Sequence, residues 1–481
     1  MQNKYLHNKS LRKLLIYSIF SFLLLGSSIS CKKLVQISPS PSMLTIAQVF
    51  GSDDEATSAI AGLYSKMINT SSIIFGNGAI TIYTGLSADE FALFNQTSSD
   101  QVQFQKNNLI SSNLIANGSI WAPGYLNVYQ ANAVIEGLEA STSVSDSVKK
   151  ELIGEAKFVR AFCNFYLTNL FGSIPLVTTT NWNNTNLLSR SDTSQVYKQI
   201  ISDLLDAQAA LPGDYSVGGG YRVRPNKWAA TALLARTYLY LKDWDDANTQ
   251  ASSIIGNTSL YSLVPSLAHV FDANSTEAIW QLMLNPAILP YNATPEGNQL
   301  LPRNRTSQPF VYLTKQLLNA FENGDNRKAT WTDSTKYLGV VYYYPNKYTI
   351  GPGTRVVNGS VSQYYMMMRL AEQYLIRAEA EAQKGDIPDA ESDLNTIRVR
   401  AGLAPVTSIA QTDLLDSIAQ ERKVEFFSEW GHRWLDLKRT GMTSEVLSIN
   451  KMDTVTNNDR LYPIPLSEIQ KDPNLTQNNG Y

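Results

Sequence analysis

Residues 369–403 read RLAEQYLIRAEAEAQKGDIPDAESDLNTIRVRAGL, and this run decides the kind of fold the chain can adopt. Leu370, Tyr374, Leu375, Ala378 and Ala382 recur at helical spacing, which gives one apolar face, while Glu379, Glu381 and Gln383 lie away from it. Lys384-Gly385 ends the helix: the cation suits the negative end of the helix dipole, and glycine accepts the left-handed conformation common just past a C-terminus. Asp386 is placed to cap a following helix, with Pro388 tolerated in its first turn and Ala390, Leu394 and Ile397 on its inner face. The spacing predicts an antiparallel helical hairpin, drawn close by Ala371, Ala378 and Ala382.

A second copy lies upstream, where Trp228 to Ile255 reads WAATALLARTYLYLKDWDDANTQASSII. At one constant offset Ala378 matches Ala235, Asp386 matches Asp243, Asp389 matches Asp246, Ala390 matches Ala247 and Ile397 matches Ile254. A small-residue helix, an acidic turn and an alanine-bearing helix are the pattern of a tetratricopeptide-type unit. Such pairs stack because none buries its apolar face alone, and the stack is a platform for contacts. The fold class expected is mainly α: a tetratricopeptide-like helical-pair scaffold with an irregular, loop-rich α+β insertion.

The chain has 481 residues, 43% hydrophobic and 17% charged, enough for about three domains by length. Its net charge of −2 gives no polyanion-binding signal, and nothing resembles a nucleic-acid footprint. Two cysteines, Cys31 and Cys163, rule out a disulfide framework, and Cys163 sits on an amphipathic helix as a small buried hydrophobe. At the N-terminus Lys4, Lys9, Arg12 and Lys13 precede an apolar run from Leu14 to Leu25, short for a transmembrane anchor. Ser28 and Ser30 put small residues before Cys31, so the segment resembles a lipoprotein signal with Cys31 as the lipidated residue.

The expected organisation is therefore a lipoprotein signal peptide over 1–30, a tether over 31–45 and a domain over 46–481. Within that domain the helical scaffold falls at about 46–70, 122–260 and 360–440, and the loop-rich, ligand-binding part at about 71–121 and 262–359. Asp53 to Met67, Ala122 to Leu138, Lys149 to Leu170, Thr193 to Leu211 and Leu414 to Lys438 carry helical periodicity. Ala278 to Met283 and Val340 to Tyr344 are strand-like, and Leu313 to Phe321 reads as a short helix.

Chemistry is scarce. The three histidines, His7, His269 and His432, have no second ligand at a useful spacing, and His432 in GHRW is expected to order a helix end. No HExxH, GxSxG, phosphate-loop lysine or complete GxGxxG occurs, and Gly218–Gly220 is a flexible loop. No catalytic residue, metal site or cofactor is expected. Two carboxylates suffice for glycoside hydrolysis, and the candidates are Asp89-Glu90 and Glu421, Glu425 and Glu429. The latter three, spaced i, i+4, i+8 among arginines and lysines, are better read as a salt-bridged helix face.

The same phrases resemble the RagB/SusD family of outer-membrane nutrient-binding lipoproteins. Leu44 through Tyr64, GEAKFVRAF at 154–162 with Phe171 to Leu176, Ala229 to Tyr240 and FENGDNR at 321–327 carry the likeness. It is most specific at Arg369 to Glu379, Leu394 to Gly402, Glu421 to Arg439 ending GHRWLDLKR, Tyr462 to Pro465 and Asn474 to Asn478. The resemblance implies a non-enzymatic, lipid-anchored protein at the cell exterior. It captures oligosaccharide or polysaccharide fragments and passes them to a SusC-like TonB-dependent transporter. Lys32-Lys33-Leu34-Val35 lacks the acidic residues often found after the cysteine in surface-exported relatives. A peptide-binding relative of the same importer class and a surface glycoside hydrolase are the alternatives.

The family's shared phrases are mostly scaffold, so the ligand has to be located by chemistry. Aromatic rings pack against the apolar C–H faces of a sugar, while amides, carboxylates and arginine bond its hydroxyls. Aromatics at helical spacing, such as Phe158 and Tyr238, are core, and those in irregular polar company are candidates. The residues expected at the site are Tyr83, Asp89, Phe94 and Asn95 from the early loop, with Tyr291, Asn298, Arg305 and Tyr312 from the later insertion. Trp182, beside Asn183 and Asn184, is an outlying candidate.

Overall fold

The computed structural model describes residues 46–407, 410–451 and 455–481. The expected leader, Cys31 and the tether lie outside the described residues. Within the unit Phe50–Tyr481 the frame begins with α1 (Asp53–Ile68), capped by the Ser52 hydroxyl and acidic in its first turn. There follow α2 (Ala79–Ser87), strand β1 (Phe91–Leu93), α3 (Ser99–Lys106), α4 (Ala122–Ala140) and α5 (Asp146–Phe171). Next come α6 (Thr193–Ala210), α7 (Lys227–Leu241) and α8 (Trp244–Ile255). The insertion contains β2 (Ala278–Leu282), α9 (Pro295–Leu300), β3 (Val311–Leu313), α10 (Asn326–Trp331), β4 (Thr332–Tyr337), β5 (Val340–Pro345) and β6 (Tyr365–Arg369). The frame resumes with α11 (Leu370–Lys384), α12 (Ile387–Arg400), α13 (Gln411–Glu425), α14 (His432–Thr440) and α15 (Thr443–Lys451).

Neighbouring helices stack in sequence from α4 through α8, and α8 packs directly on α11, which continues through α12 to α13. The two predicted hairpins therefore adjoin despite the long segment between them. Ala235, Leu239, Ala247 and Ala251 of the upstream pair share one cluster with Ile376 and Ala380 of α11. A second cluster joins Ala378 and Ala382 to Ala390, Leu394 and Ile397 and then to Leu414 and Ile418. Alanines at these positions let the helix axes approach, and the aliphatic side chains fill what remains. Arg236 and Glu372, both buried, bridge α7 to α11 through two bonds of 2.6 Å, and Tyr166 Oη accepts from Arg236 at 2.9 Å. The turns confirm part of the sequence reading. Gly385 is left-handed at φ +88°, and Lys242 takes the equivalent place in the upstream pair at φ +62°. Asp243 caps its helix through Asp246 N, whereas Asp386 holds the cap position without a side-chain cap bond.

The insertion is pinched at its base, because β2 pairs antiparallel with β6, matching Ala278 with Arg369 and Leu282 with Tyr365. Two further antiparallel ladders join β1 with β3 and β4 with β5. Three elements differ from expectation. The region 71–121 contains α2, β1 and α3 as well as a π-helical turn at Ala116–Trp121. All nine residues of α2 are buried, so no polar face exists to reveal its period. Leu313 ends a strand, and only Lys315–Leu318 is helical after it. The long final helix is two, α13 and α14, separated by a turn in which Ser428, Trp430 and Gly431 all have positive φ.

Candidate functional site

The β4–β5 hairpin is the projecting part of the insertion, and its register decides which side chains meet. Asp333 faces Tyr344, Thr335 faces Tyr342 and Tyr337 faces Val340, so these six share one side of the ribbon. β3 packs against β5 and brings Tyr312 onto that side. Phe94, one residue beyond β1, follows, because its amide donates to Phe310 O at 3.2 Å. The result is a half-buried aromatic group. Phe94 meets Tyr337 and Tyr342 edge to face at centroid distances of 5.5 and 5.3 Å, and Tyr312 meets Tyr342 at 5.2 Å. Edge-to-face contacts orient each ring and leave part of its face open. Burial, with Tyr342 nearby, raises the pKa of Tyr312, so its hydroxyl is a neutral donor and acceptor at physiological pH.

Polar groups border the rings. Arg305, with 81% of its side chain exposed, donates to Asp333 Oδ2 at 3.0 Å, and Tyr344 Oη donates to the same oxygen at 3.1 Å. Lys336 N donates to Arg305 O at 2.9 Å, which fixes the arginine's backbone alongside the hairpin. From Arg305 the strip continues along 297–303, against which the turn at 351–355 is pressed. A Cβ on Gly353 would lie 1.9 Å from Arg303 O, so only glycine permits that approach. Arg355 in this turn donates to Asn298 Oδ1, and Val356 N donates to Asn292 Oδ1 at 2.8 Å, next to Tyr291.

The hairpin is held at its base by buried charge. α10 runs directly into β4, and its Arg327 reaches Glu421 at 2.5 Å, Glu425 at 2.8 Å and Asp325 at 2.8 Å. Just after β5, Lys347 Nζ donates to Glu429 at 2.5 Å and Glu425 O at 2.8 Å, among the rings of Phe271, Trp331 and Phe427. Burial pushes the lysine pKa down to about 8 against the pull of Glu429. Arg369 joins Glu277, Glu425 and Glu429 at 2.9, 2.6 and 2.8 Å, and Arg400 binds Glu277 and Glu425. Burial works against the charge of Glu425, but Arg400, Arg369 and Arg327 outweigh it and hold its carboxyl well below the usual range. The Glu421, Glu425 and Glu429 series is thus ion-paired, as its spacing suggests, but inside the molecule and not along a solvated helix face. These three carboxylates are committed to arginine and lysine.

Of the eight ligand-binding residues expected from sequence, Phe94, Asn95, Arg305 and Tyr312 come together at the aromatic group, and Tyr291 and Asn298 lie along the adjoining strip. Two are displaced. Tyr83, 3% exposed, is on helix α2 and packs on Phe104 at 4.9 Å, so it belongs to the core. Asp89, 2% exposed, accepts from Arg433 at 2.7 Å, Lys423 at 3.0 Å and Asn450 at 2.7 Å. Burial opposes its charge, but Arg433 and Lys423 keep the carboxyl well below its ordinary range. Sequence reasoning missed Tyr337 and Tyr342. The available signal was the YLGVVYYY run at 337–344, whose LG pair marks a turn leading into an aromatic strand but not which tyrosines share a side. Trp182 is highly exposed and stands apart, on a short turn after Asn181. His432 is buried at the start of α14 against Phe426, and burial holds it neutral. Among the described residues no group of three or more His, Cys, Asp or Glu is placed to hold a metal ion. No helix among them is long and apolar enough to cross a membrane.

A stack of helix pairs bearing a clamped, aromatic-lined insertion defines a helical-scaffold protein of the tetratricopeptide-like kind. The comparisons with known proteins agree, and the chain belongs to the SusD/RagB family. Residues 340–481 match the model described as the SusD family, and residues 61–239 match one described as starch-binding associating with outer membrane. The SusD-like protein P2 of Formosa agariphila is 27% identical, with 97% of this chain and 99% of the relative covered. Among solved structures, a SusD superfamily protein from Bacteroides vulgatus shares the fold at a TM-score of 0.77 and 21% identity, over 89% of this chain and 99% of its own. A laminarin-binding SusD-like protein does so at 0.74 and 23%, over 89% and 99%.

Proposed function

We propose that this protein is an outer-membrane, surface-exposed lipoprotein, anchored through Cys31, that captures oligosaccharides and hands them to a SusC-like TonB-dependent transporter. The observation that carries the reading is the half-open ring group of Phe94, Tyr312, Tyr337 and Tyr342, bordered by Asn95 and Arg305 on a hairpin whose base is locked by buried ion pairs. Rings fixed before the ligand arrives avoid the entropy of ordering them, which suits sugar faces that offer little energy per contact. The family's starch-binding description and the laminarin-binding neighbour support a glycan as the ligand class. The protein binds without turning over its ligand.

The test is affinity electrophoresis of the purified protein through gels containing a panel of neutral and acidic polysaccharides, beside an assay for new reducing ends. Retention by at least one polymer, lost in the Tyr312→Ala/Tyr342→Ala variant with its fold intact by circular dichroism, is the expected result. Release of reducing ends, or retention indifferent to that variant, overturns the reading. Anchoring is checked separately by metabolic lipid labelling of the expressed chain, which Cys31→Ala must abolish.

A further inference from the structure

No charged residue lies between Lys106 and Glu136, nor between Arg160 and Arg190, in a chain with 40 basic and 42 acidic residues. The two neutral runs are neighbours in the fold. The first is helical without a break from residue 114 to 140, through the π-helical turn Ala116–Trp121 into α4. The second lies along it: Tyr125 Oη donates to Pro175 O at 2.8 Å, Asn132 Nδ2 donates to Val177 O at 3.1 Å, and Glu136 accepts from Thr179 and Thr180. On the outer side of the helix, exposure recurs every four residues, at Leu114, Gly118, Ala122 and Leu126, and ends at Tyr129. Leu114 is 75% exposed, Leu126 54% and Tyr129 52%. Large apolar side chains in a row, with no charge among them, have the composition of an interface core and not of a solvated surface. These three alone expose roughly 400 Å², about half of what each partner of a stable interface buries.

The order of the residues says what covers the row, because it reads alike in both directions. Leu114 and Leu126 stand equally far on either side of Ile120, and so do Gly118 and Ala122. A row at four-residue steps is the ridge that packs beside its like in the commonest helix crossing. About a two-fold axis at Ile120 it meets a second copy of itself, Leu114 against Leu126 and Gly118 against Ala122. Gly118 is not required inside the subunit, since a Cβ there would meet no atom within 4 Å. A glycine weakens a helix, and here it leaves a gap between two leucines through which another helix backbone can approach. Neutrality suits self-docking too, because a charge near the axis would face its own copy.

We propose that Leu114, Gly118, Ala122, Leu126 and Tyr129 form an isologous interface through which two copies of this chain associate as a dimer. Such pairing is independent of glycan capture.

Sedimentation velocity of the Cys31→Ala form, which cannot be acylated at that position, measures association from about 1 to 100 μM. Five further substitutions are compared in that background: Leu114→Glu, Leu126→Lys, both together, Gly118→Leu, and Val399→Glu. The last puts the same charge at an exposed apolar position on α12. Circular dichroism checks that each is folded. The expected result is a concentration-dependent dimer whose dissociation constant rises about tenfold or more in each single variant on the row, since each substitution acts twice across the axis. Together, the Leu114→Glu and Leu126→Lys charges face each other across the axis and should restore the constant to within about threefold. Val399→Glu should change it less than about twofold. A monomer at every concentration overturns the proposal, and so does a dimer indifferent to the row variants. A dimer lost in the single variants but not restored in the double one overturns it too, because Leu114 then does not meet Leu126. A monomer that floats with phosphatidylglycerol vesicles, with flotation lost in Leu114→Glu, gives the face to a membrane and overturns it as well.

Discussion

Replacing Glu425 with Gln tests whether the buried ion cluster is what holds the hairpin. The substitution keeps the volume and one acceptor but withdraws the charge shared by Arg327, Arg369 and Arg400. Breaking a buried pair by removing one partner costs about 3–5 kcal/mol. Here every cation keeps another carboxylate: Asp325 and Glu421 for Arg327, Glu277 and Glu429 for Arg369, and Glu277 for Arg400. The cost therefore falls at the lower end, about 3 kcal/mol. Unfolding entropy of about 2.1 cal/mol/K per residue, taken over Phe50–Tyr481, gives roughly 0.9 kcal/mol/K and a fall in Tm of about 3 °C. Scanning calorimetry at pH 7 measures it. Glu322→Gln serves as the control: its carboxylate pairs with Arg398 at a half-exposed site and should shift Tm by less than about 1 °C. The pH dependence has a definite sign. The folded-state pKa of Glu425 is depressed, so its stabilisation is complete above the ordinary value of 4.5 and lost as pH falls through the folded value. The gap between wild type and variant should be constant from about pH 6 to 8 and close below about pH 4.5. An unchanged or raised Tm at pH 7 would refute the reasoning.

Other outcomes follow from single contacts. Arg236→Met leaves Glu372 buried without its bidentate partner and should cost about 3–5 kcal/mol, read as a lower denaturation midpoint. Gly431→Ala sets a side chain at φ +71° with its Cβ 2.5 Å from Thr84 Oγ1, and should cost about 2 kcal/mol by the same assay. Burial raises the Glu296 carboxyl to about 8, so its ionisation destabilises the fold progressively from pH 4.5 upward and fully above pH 8. Glu296→Gln, which retains an acceptor for Tyr365 Oη, should match wild type in Tm at about pH 5 and exceed it at about pH 9. A constant offset across that range would show that the carboxyl does not titrate there.

The repeated hairpins were legible because each helix buries one face and exposes the other, leaving a 3.6-residue period in the chain. The same reasoning failed at α2, where enclosure on every side erases the period and Tyr83 passes for a loop aromatic. Asp89 misled for a related reason: its partners Lys423, Arg433 and Asn450 are more than 330 residues away in sequence, and only the tertiary fold supplies them. Phe94, Arg305 and Tyr312 were singled out because irregular, polar surroundings mark a surface that is not core, and the structure places all three outside the core. Tyr337 and Tyr342 went unnoticed because their side of the ribbon is fixed by register with β5 and by the packing of β3, neither of which local composition encodes. The arginine–glutamate cluster was visible only as charges at regular spacing, since burial is not a local property.

The hairpin is fastened at both of its roots, by Arg327 ahead of β4 and Lys347 behind β5, to one set of glutamates, while Leu338 at its tip is 85% exposed. Anchorage and exposure are thereby assigned to different residues of one ribbon. Substitutions from Tyr337 to Val341 can accumulate without loosening the frame, so the tip is free to diversify while the architecture beneath it stays untouched.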